Sequence, residues 1–466
     1  MKGGVRGLGA GGQASDGPTA PGPTCPTRPT CPTGPNATPA PPDAPPTSVE
    51  SPGPNLLLTV DSPAYGPMAA GRREDGKVVL VDHAVPGDVV EASPWNETSS
   101  LVRARILRVV SPSPHRCEPA CPSFPACGGC SWLNYTRESQ LRFKADVVNR
   151  LLSRLKLPSP CLSQVVHDSA AFGYRQRVRL HLSGIPGEPC RIGFFSHGTH
   201  DVVPIRSCPI CLPELDRTIA AFAAWIPPLP LSASVEMVVT DEKTVLGVLY
   251  LAERNPDPQG LAVTLVEQGV LAGAVVASPD SGWGRHGVQL GWLQVSDDAR
   301  TPVQATSFCQ ANPSVNRLLI RHVVERVLEI GASRILELYA GHGNFTFPLA
   351  HAGAEVLAVE VGVDLAVLPS HPRVRFYKGD AVRLLPTLQR CPLVLLDPPR
   401  TGAKDLMKPL LKARPGHILY VSCDPNTFVR DAGILLAGGY RLADVTAFDM
   451  MPQTHHVEMV ALLRRE

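Results

Sequence analysis

From about residue 301 to the C-terminus, short apolar runs alternate with amphipathic stretches, and few folds accommodate that order. ILEL (335–338), EVLAVEV (355–361), VRFYKGD (374–380), LVLL (393–396) and ILYVS (418–422) have the length and branching of strands, four of them strongly apolar. Amphipathic or helix-forming sequence separates them. Strands alternating with helices imply a parallel sheet with helices packed on it. A parallel pair cannot be joined by a tight hairpin.

Such sheets bind ligands at the carboxyl ends of their strands, so the residues that follow each run are the first candidates for a site. ILEL runs into Tyr339-Ala340-Gly341-His342-Gly343-Asn344 and then a helical stretch. Strand, glycine turn and helix let backbone approach a nucleotide-like ligand closely. Glu360 stands 19 residues after Gly341, at the distance expected of a carboxylate that binds ribose hydroxyls. The third glycine of the dinucleotide fingerprint is replaced by Thr346. That lowers the odds of NAD, whereas S-adenosylmethionine has no pyrophosphate to cradle. Asp380 ends the third strand and is a candidate for the adenine amino group.

The next two strands carry the chemistry. LVLLDPPRTG (393–402) ends in Asp-Pro-Pro-Arg, where proline stops the sheet and stiffens the loop that presents Asp397. ILYVS delivers Cys423 to the same edge, and Asp424 can cap a helix beginning at Pro425. A cysteine just before a helix N-terminus feels the positive end of the dipole, which favours the nucleophilic thiolate. Glu458 begins the last strand and is a candidate general base. His455 and His456 precede it. Adjacent histidines in a strand would face opposite ways, so a loop or structural role suits them better than metal ligation.

The rest of the 466 residues divides by composition. Residues 1–54 are rich in Pro, Gly, Ala and Thr and read as a disordered tail; Cys25 and Cys31 lie in it. Residues 55–112 hold four or five short β-branched runs, consistent with a small barrel. Arg72, Arg73, Lys77, Arg103, Arg105 and Arg108 give it basic character. Residues 113–300 read as a central α+β region, with a helix at 137–155 and a basic alternating strand, YRQRVRLHL (174–182). Residues 301–466 form the parallel domain. The net charge of +2 excludes a histone-like protein but not a local basic groove. No apolar run suffices for a membrane span and no signal-peptide core begins the chain, so the expected location is the cytoplasm. Thirteen cysteines, an odd number in a long chain, suit metal ligation or catalysis better than a disulfide framework.

Taken together, CPSFPACGGC (121–130), FCQAN (308–312), LELYAGHGNFT (336–346), LLDPPRTG (395–402), YVSCDPNTFVRD (420–431) and MMPQTHHVEM (450–459) resemble the uracil-5 RNA methyltransferase family, in particular its iron–sulphur branch acting on 23S ribosomal RNA. The resemblance spans about 55–466. It implies an RNA-binding TRAM barrel, a central subdomain holding a cluster and a Rossmann-like catalytic domain that uses S-adenosylmethionine. It assigns Cys423 as nucleophile and Glu458 as base. It also makes Gln310, Tyr339, Asn344, Glu360, Asp380 and Asp397 cofactor and active-site residues, beside Gly341 and Gly343 of the turn. Cys121, Cys127 and Cys130 match the family's 4Fe–4S ligands, and Cys208 would be the fourth. Four thiolates suit zinc as well, and Cys117 or Cys211 are near enough to substitute. The expected protein is a monomer that binds RNA and no membrane. Ribosomal RNA is the expected substrate, with transfer RNA open. A cytosine-5 RNA methyltransferase, or a non-catalytic RNA-binding iron–sulphur protein, are the competing readings. One departure stands out. Only GVDLAVLPSHPR separates Glu360 from the strand at Val374, too little for a full helical crossover.

Overall fold

A computed structural model describes residues 53–466 except 65, 158–161, 228–229 and 389–390. The tail expected over 1–54, with Cys25 and Cys31, lies almost wholly outside the described residues.

The β-branched runs at the front close on themselves. Strands β1 (Leu56–Pro63), β2 (Met68–Arg72), β3 (Val78–Asp82), β4 (Val89–Glu97) and β5 (Leu101–Ser111) form a closed barrel in the order β1-β2-β3-β5-β4. Inward positions such as Val60, Val79, Val81, Val90 and Val102 fill it. Much of its expected basic surface is tied up in ion pairs: Arg73 and Lys77 with Glu97, and Arg108 with Glu91. Helix α1 (Arg137–Leu152) follows, with Thr136 as its N-cap, and then β6 (Leu162–Val166).

The central region is a seven-stranded sheet of β7 (Arg177–Gly184), β8 (Arg191–Phe195), β9 (Val202–Pro204), β10 (Leu231–Val239), β11 (Val245–Leu251), β12 (Gly273–Ser278) and β13 (Gly282–Gly287). Their order is β13-β12-β11-β10-β7-β8-β9. Helices α2 (Pro213–Ala224) and α3 (Pro258–Glu267) cover one face, where Leu180, Val235, Leu249, Ile219 and Leu265 meet in a common core. A hairpin of β14 (Gly291–Gln294) and β15 (Arg300–Val303) covers part of the other face.

Helix α4 (Pro313–Ile330) leads into the parallel domain. Its elements are β16 (Arg334–Leu338), α5 (Thr346–His351), β17 (Glu355–Glu360), β18 (Val374–Lys378), α6 (Ala381–Leu384), β19 (Leu393–Leu396), α7 (Lys404–Ala413), β20 (His417–Ser422), α8 (Pro425–Ala437), β21 (Tyr440–Phe448) and β22 (Glu458–Arg465). The sheet order is β18-β17-β16-β19-β20-β22-β21-β6. Strands β18 to β20 run parallel, and β22 is antiparallel to both of its neighbours. β6, from the middle of the chain, supplies the far edge by pairing in parallel with β21. Between β17 and β18 there is only a single turn of 3₁₀ helix, Leu365–Val367, as the short linker demands.

Candidate active site

The site gathers where β16, β17, β19 and β20 end and β22 begins. After β16 the chain turns through Tyr339, Gly341 and Gly343, all at positive φ (65°, 56° and 95°). At Gly343 an added Cβ would overlap the Phe347 ring, so glycine is needed for space as well as conformation. Glu360 fastens the turn: its Oε2 accepts from the Gly341 N–H at 3.0 Å and its Oε1 from the Gly362 N–H at 2.8 Å. Asn344 is held by a reciprocal amide pair with Asn316 of α4, at 2.8 and 3.1 Å.

Asp397 leaves the end of β19 with its N–H donating to the Leu338 carbonyl at 3.3 Å. Burial, and then the nearby Glu360 carboxylate, push its carboxyl up to about 7. The proline loop after it is anchored by α8. Asp431 accepts from the Ala403 N–H and the Tyr420 hydroxyl, Arg430 donates to the Thr401 carbonyl, and the Thr427 hydroxyl donates to the Arg400 carbonyl.

Cys423 follows β20, and Asp424 caps α8 by accepting from the Asn426 and Thr427 N–H groups, as expected. Because β22 starts where β20 ends, with Ser422 opposite Met459, the antiparallel register sets Glu458 beside Cys423. Burial, followed by the neighbouring Asp397 carboxyl, raises Glu458 well above the carboxylate range; Arg400 opposes. The thiol departs from the sequence expectation. Burial, then Glu458 and Asp397, push Cys423 well above the usual thiol range, and Arg400 offsets only part of this. Burial removes the solvation a thiolate needs, and the two acids add to that penalty.

Asp380 caps α6 by accepting from the Arg383 N–H at 3.0 Å, so one carboxylate oxygen serves the backbone. Gln310 is buried, and its carbonyl accepts from the Gln176 side chain at 2.8 Å. His455 and His456 lie in the loop before β22, not in a strand. Their rings are 4.2 Å apart, and Ser131 contacts both the Nδ1 and the backbone N–H of His455 at 2.9 Å.

Three groups around the site were not anticipated. Glu337 is buried and accepts from the Thr346 hydroxyl at 2.6 Å; burial raises it to about 8. An acidic residue inside ILEL was the signal. Arg400 was visible in Asp-Pro-Pro-Arg but had been given no role. The third is a clamp on the loop ahead of Glu458. Gln140 of α1 donates to the Gln453 side chain and accepts from its backbone N–H, both at 2.9 Å, while Lys144 and Arg137 pair with buried Asp449. Nothing in the sequence connects positions over 300 residues apart.

Cys121, Cys127, Cys130 and Cys208 line one cavity, walled by apolar groups such as Phe124, Leu133, Phe194 and Ile210. An all-thiol donor set in an apolar wall fits a thiophilic metal or cluster. Burial pushes Cys127 and Cys130 up to about 11 and about 12. Among the described residues, no three potential ligands already stand at metal-binding spacing. Cys117 does not line the cavity, its thiol pointing to the Leu133 carbonyl, and Cys211 adjoins Cys208.

Residues 292–367 and 376–466 match the tRNA (Uracil-5-)-methyltransferase family. The chain is 31% identical to the 23S rRNA (uracil(1939)-C(5))-methyltransferase of Yersinia enterocolitica, over 88% of this chain and 95% of that one. It is 32% identical to the enzyme of the same description from Pectobacterium atrosepticum, over 88% and 94%. Among solved structures, it resembles the tRNA (uracil-54, C5)-methyltransferase of Pyrococcus abyssi in complex with S-adenosyl-L-homocysteine. The TM-score is 0.63 at 24% identity, covering 88% of this chain and all of that one. That likeness bears on the fold.

Proposed function

Because the chain belongs to the RNA uracil-5-methyltransferase family, we propose that it methylates carbon 5 of a uridine in 23S ribosomal RNA, with Cys423 as nucleophile. The enzyme is an S-adenosylmethionine-dependent RNA methyltransferase. The observation that carries the residue assignment is the convergence of Cys423, Glu458 and Asp397 at one sheet edge, beside the glycine turn. S-adenosylmethionine supplies an activated methyl group. Glu360, Asn344, Tyr339, Gly341, Gly343 and Asp380 would hold its nucleoside and amino-acid parts, and Gln310 and Asp397 the edge of the base.

Carbon 5 of uracil is a weak nucleophile. When the Cys423 sulfur bonds to carbon 6, the 5,6 double bond opens and carbon 5 gains carbanion character. Carbon 5 then takes the methyl group as the methyl–sulfonium bond breaks, with S-adenosylhomocysteine as the leaving group. Glu458 removes the carbon-5 proton, the double bond re-forms, and the carbon–sulfur bond breaks to free Cys423. The raised thiol sets a requirement on this order: Cys423 must give up its proton before the sulfur attacks. Cys423 is held as a largely neutral thiol until its proton passes to a neighbour, and Arg400 is the nearby cation that favours the charged form. The target base must leave its stack to reach such a site.

We assign Cys121, Cys127, Cys130 and Cys208 to a 4Fe–4S cluster, with zinc as the second reading for the same thiols. The cluster would hold the segment around Cys130 against the loop that precedes Glu458, through Ser131–His455 and the bond from the Trp132 N–H to the Gln453 carbonyl at 3.0 Å. We further assign 55–112 as a TRAM-like RNA-binding barrel, 113–300 as the cluster domain and 301–466 as the catalytic domain of a cytoplasmic monomer.

Mass spectrometry of nucleosides from 23S RNA treated with the purified chain tests the reaction. 5-Methyluridine is expected with the wild type and absent with Cys423→Ala. 5-Methylcytidine as the product, or retained turnover in the variant, would overturn the proposal.

A further inference from the structure

One face of the central sheet is covered only in part, by the β14–β15 hairpin, and the remainder carries aromatic and cationic side chains. Its outward positions follow from strand register: Trp283 opposite Ala277, Ala277 opposite Tyr250, Tyr250 opposite Ser234, and Ser234 opposite His181. Cross-strand neighbours share a face, so these residues form one row across five strands. Two ring pairs stand on this face. Tyr250 and Trp283 meet edge to face, with centroids 6.4 Å apart, and His181 stacks on Phe195 at 3.5 Å, the planes 16° apart. Trp283 is 53% exposed. The opposite face is sealed by α2 and α3, so this is the side left for a partner.

Charge narrows the partner. Arg177, Arg179, Arg191 and Arg285 occupy outward positions, against one acid in these strands, Glu236, which pairs closely with Arg177 and only at 3.7 Å with Arg179. The basic residues of YRQRVRLHL therefore divide: Arg177 is committed to Glu236, the Arg175 Nε–H donates to the Arg177 carbonyl, and Arg179, half exposed and 3.7 Å from Glu236, is the cation of this strand most open to a partner. Burial, then the nearby Arg179, lower His181 to about 4, so its ring is neutral and able to stack at physiological pH.

Position narrows it further. Cys309, next to Gln310, packs on the same face with Tyr250, in the cluster of Val238, Leu246 and Val248. Phe308 beside it is 71% exposed. From Gln176, which holds the Gln310 carbonyl, to His181 is five extended residues, about 17 Å of track.

We propose that this face is a stacking platform for unpaired nucleotides flanking the target uridine, with the Trp283–Tyr250 and His181–Phe195 pairs taking bases and Arg179 taking a phosphate. The assignment rests on the RNA-methylating function proposed above. Rings accept any base by its π-face, and an exposed arginine among them follows the backbone. A double-stranded partner would offer no free base faces, and an apolar protein partner would have no use for the arginines.

The test measures binding of the full chain to a fluorescent single-stranded oligouridylate, beside methylation of a 23S transcript. Trp283→Ala should weaken oligouridylate binding by about 5- to 150-fold, the range for losing one base–aromatic stack. Trp283→Phe should stay within a few-fold of wild type and Trp283→Leu should not. Arg179→Ala should lower the slope of log affinity against log salt by about 0.7. S-adenosylhomocysteine affinity should be unchanged in all of them. Wild-type affinity in Trp283→Ala, or wild-type affinity in Trp283→Leu, overturns the platform. So does a wild-type dimer that Trp283→Ala splits, because a second copy would then occupy the face. Ring-dependent binding without methylation by the wild type overturns the proposed reaction and leaves the platform standing; methylation with ring-independent binding does the reverse.

Discussion

Replacing Asp449 by Asn should loosen the loop that sets Glu458 while leaving the rest of the sheet intact. Asp449 and Lys144 have no exposed side-chain surface, and Lys144 also donates to the Met451 carbonyl at 3.0 Å. Arg137, the second partner, is 26% exposed and can turn to solvent; Lys144 cannot. Asp449→Asn therefore strands a buried ammonium, a change that costs about 3–5 kcal/mol when one partner of a buried pair is lost. The cost falls on residues 449–457, whose other ties include the Gln140–Gln453 pair, Ser131–His455, the Trp132 N–H on the Gln453 carbonyl and the Tyr174 hydroxyl on the Pro452 carbonyl. Hydrogen–deuterium exchange of a peptide covering this loop reads the opening directly. The amides of Gln453 and His455 should exchange about 10²- to 10⁴-fold faster, the equivalent of that energy. Adding Lys144→Met removes the stranded charge and should restore more than half of the protection, as expected of two groups in direct contact. Exchange within about threefold of wild type in Asp449→Asn, or a double variant no better protected than the single one, would refute the reasoning.

Glu458→Gln should still form the sulfur–carbon adduct but release product about 10²- to 10⁴-fold more slowly, seen as denaturation-resistant protein–RNA complex in single-turnover gels. Because burial and two acids raise Cys423, its thiolate should be scarce at pH 7 and grow as pH rises; alkylation by iodoacetamide should accelerate about tenfold per pH unit from pH 7 to 9, with no plateau below pH 9. Gln140→Ala leaves the buried groups of Gln453 unpaired and should cost about 1–3 kcal/mol of local stability, lowering kcat with the KM for S-adenosylmethionine unchanged. Although burial raises its carboxyl, Lys144 and Arg137 hold Asp449 below the usual carboxylate range, so its contribution is present above about pH 4 and is lost as pH falls through the depressed value. Wild type and Asp449→Asn should then converge in stability in acid denaturation.

What the sequence disclosed was local. Strand runs ending in glycine or proline placed Asp397, Cys423 and the turn at Gly341 on one sheet edge, because a parallel sheet leaves its loops nowhere else to go. The Asp424 cap was legible for the same reason: acceptor, proline and helix are consecutive. Glu458 could be located at the start of its strand, but its place beside Cys423 depends on β22 running antiparallel to β20, a pairing that no local pattern encodes. The raised Cys423 thiol was missed because a helix terminus can be read from neighbours in sequence, while Glu458 and Asp397 approach only through the fold. The clamp of Gln140 and Lys144 on the loop before Glu458, and β6 at the far edge of the catalytic sheet, are also long-range pairings. In the basic strand at 174–182, alternation identified the outward face but could not show that Glu236 would claim Arg177.

The central claim is covalent attack by one sulfur. The chain can be incubated with S-adenosylmethionine and RNA carrying 5-fluorouridine at the target, where the carbon-5 fluorine cannot leave as a proton, then denatured, digested and mapped by mass spectrometry. The account predicts a methylated fluorouridine adduct on the peptide bearing Cys423 and on no other. An adduct on a different cysteine, or methyl transfer to normal RNA with no adduct trapped at all, would contradict it.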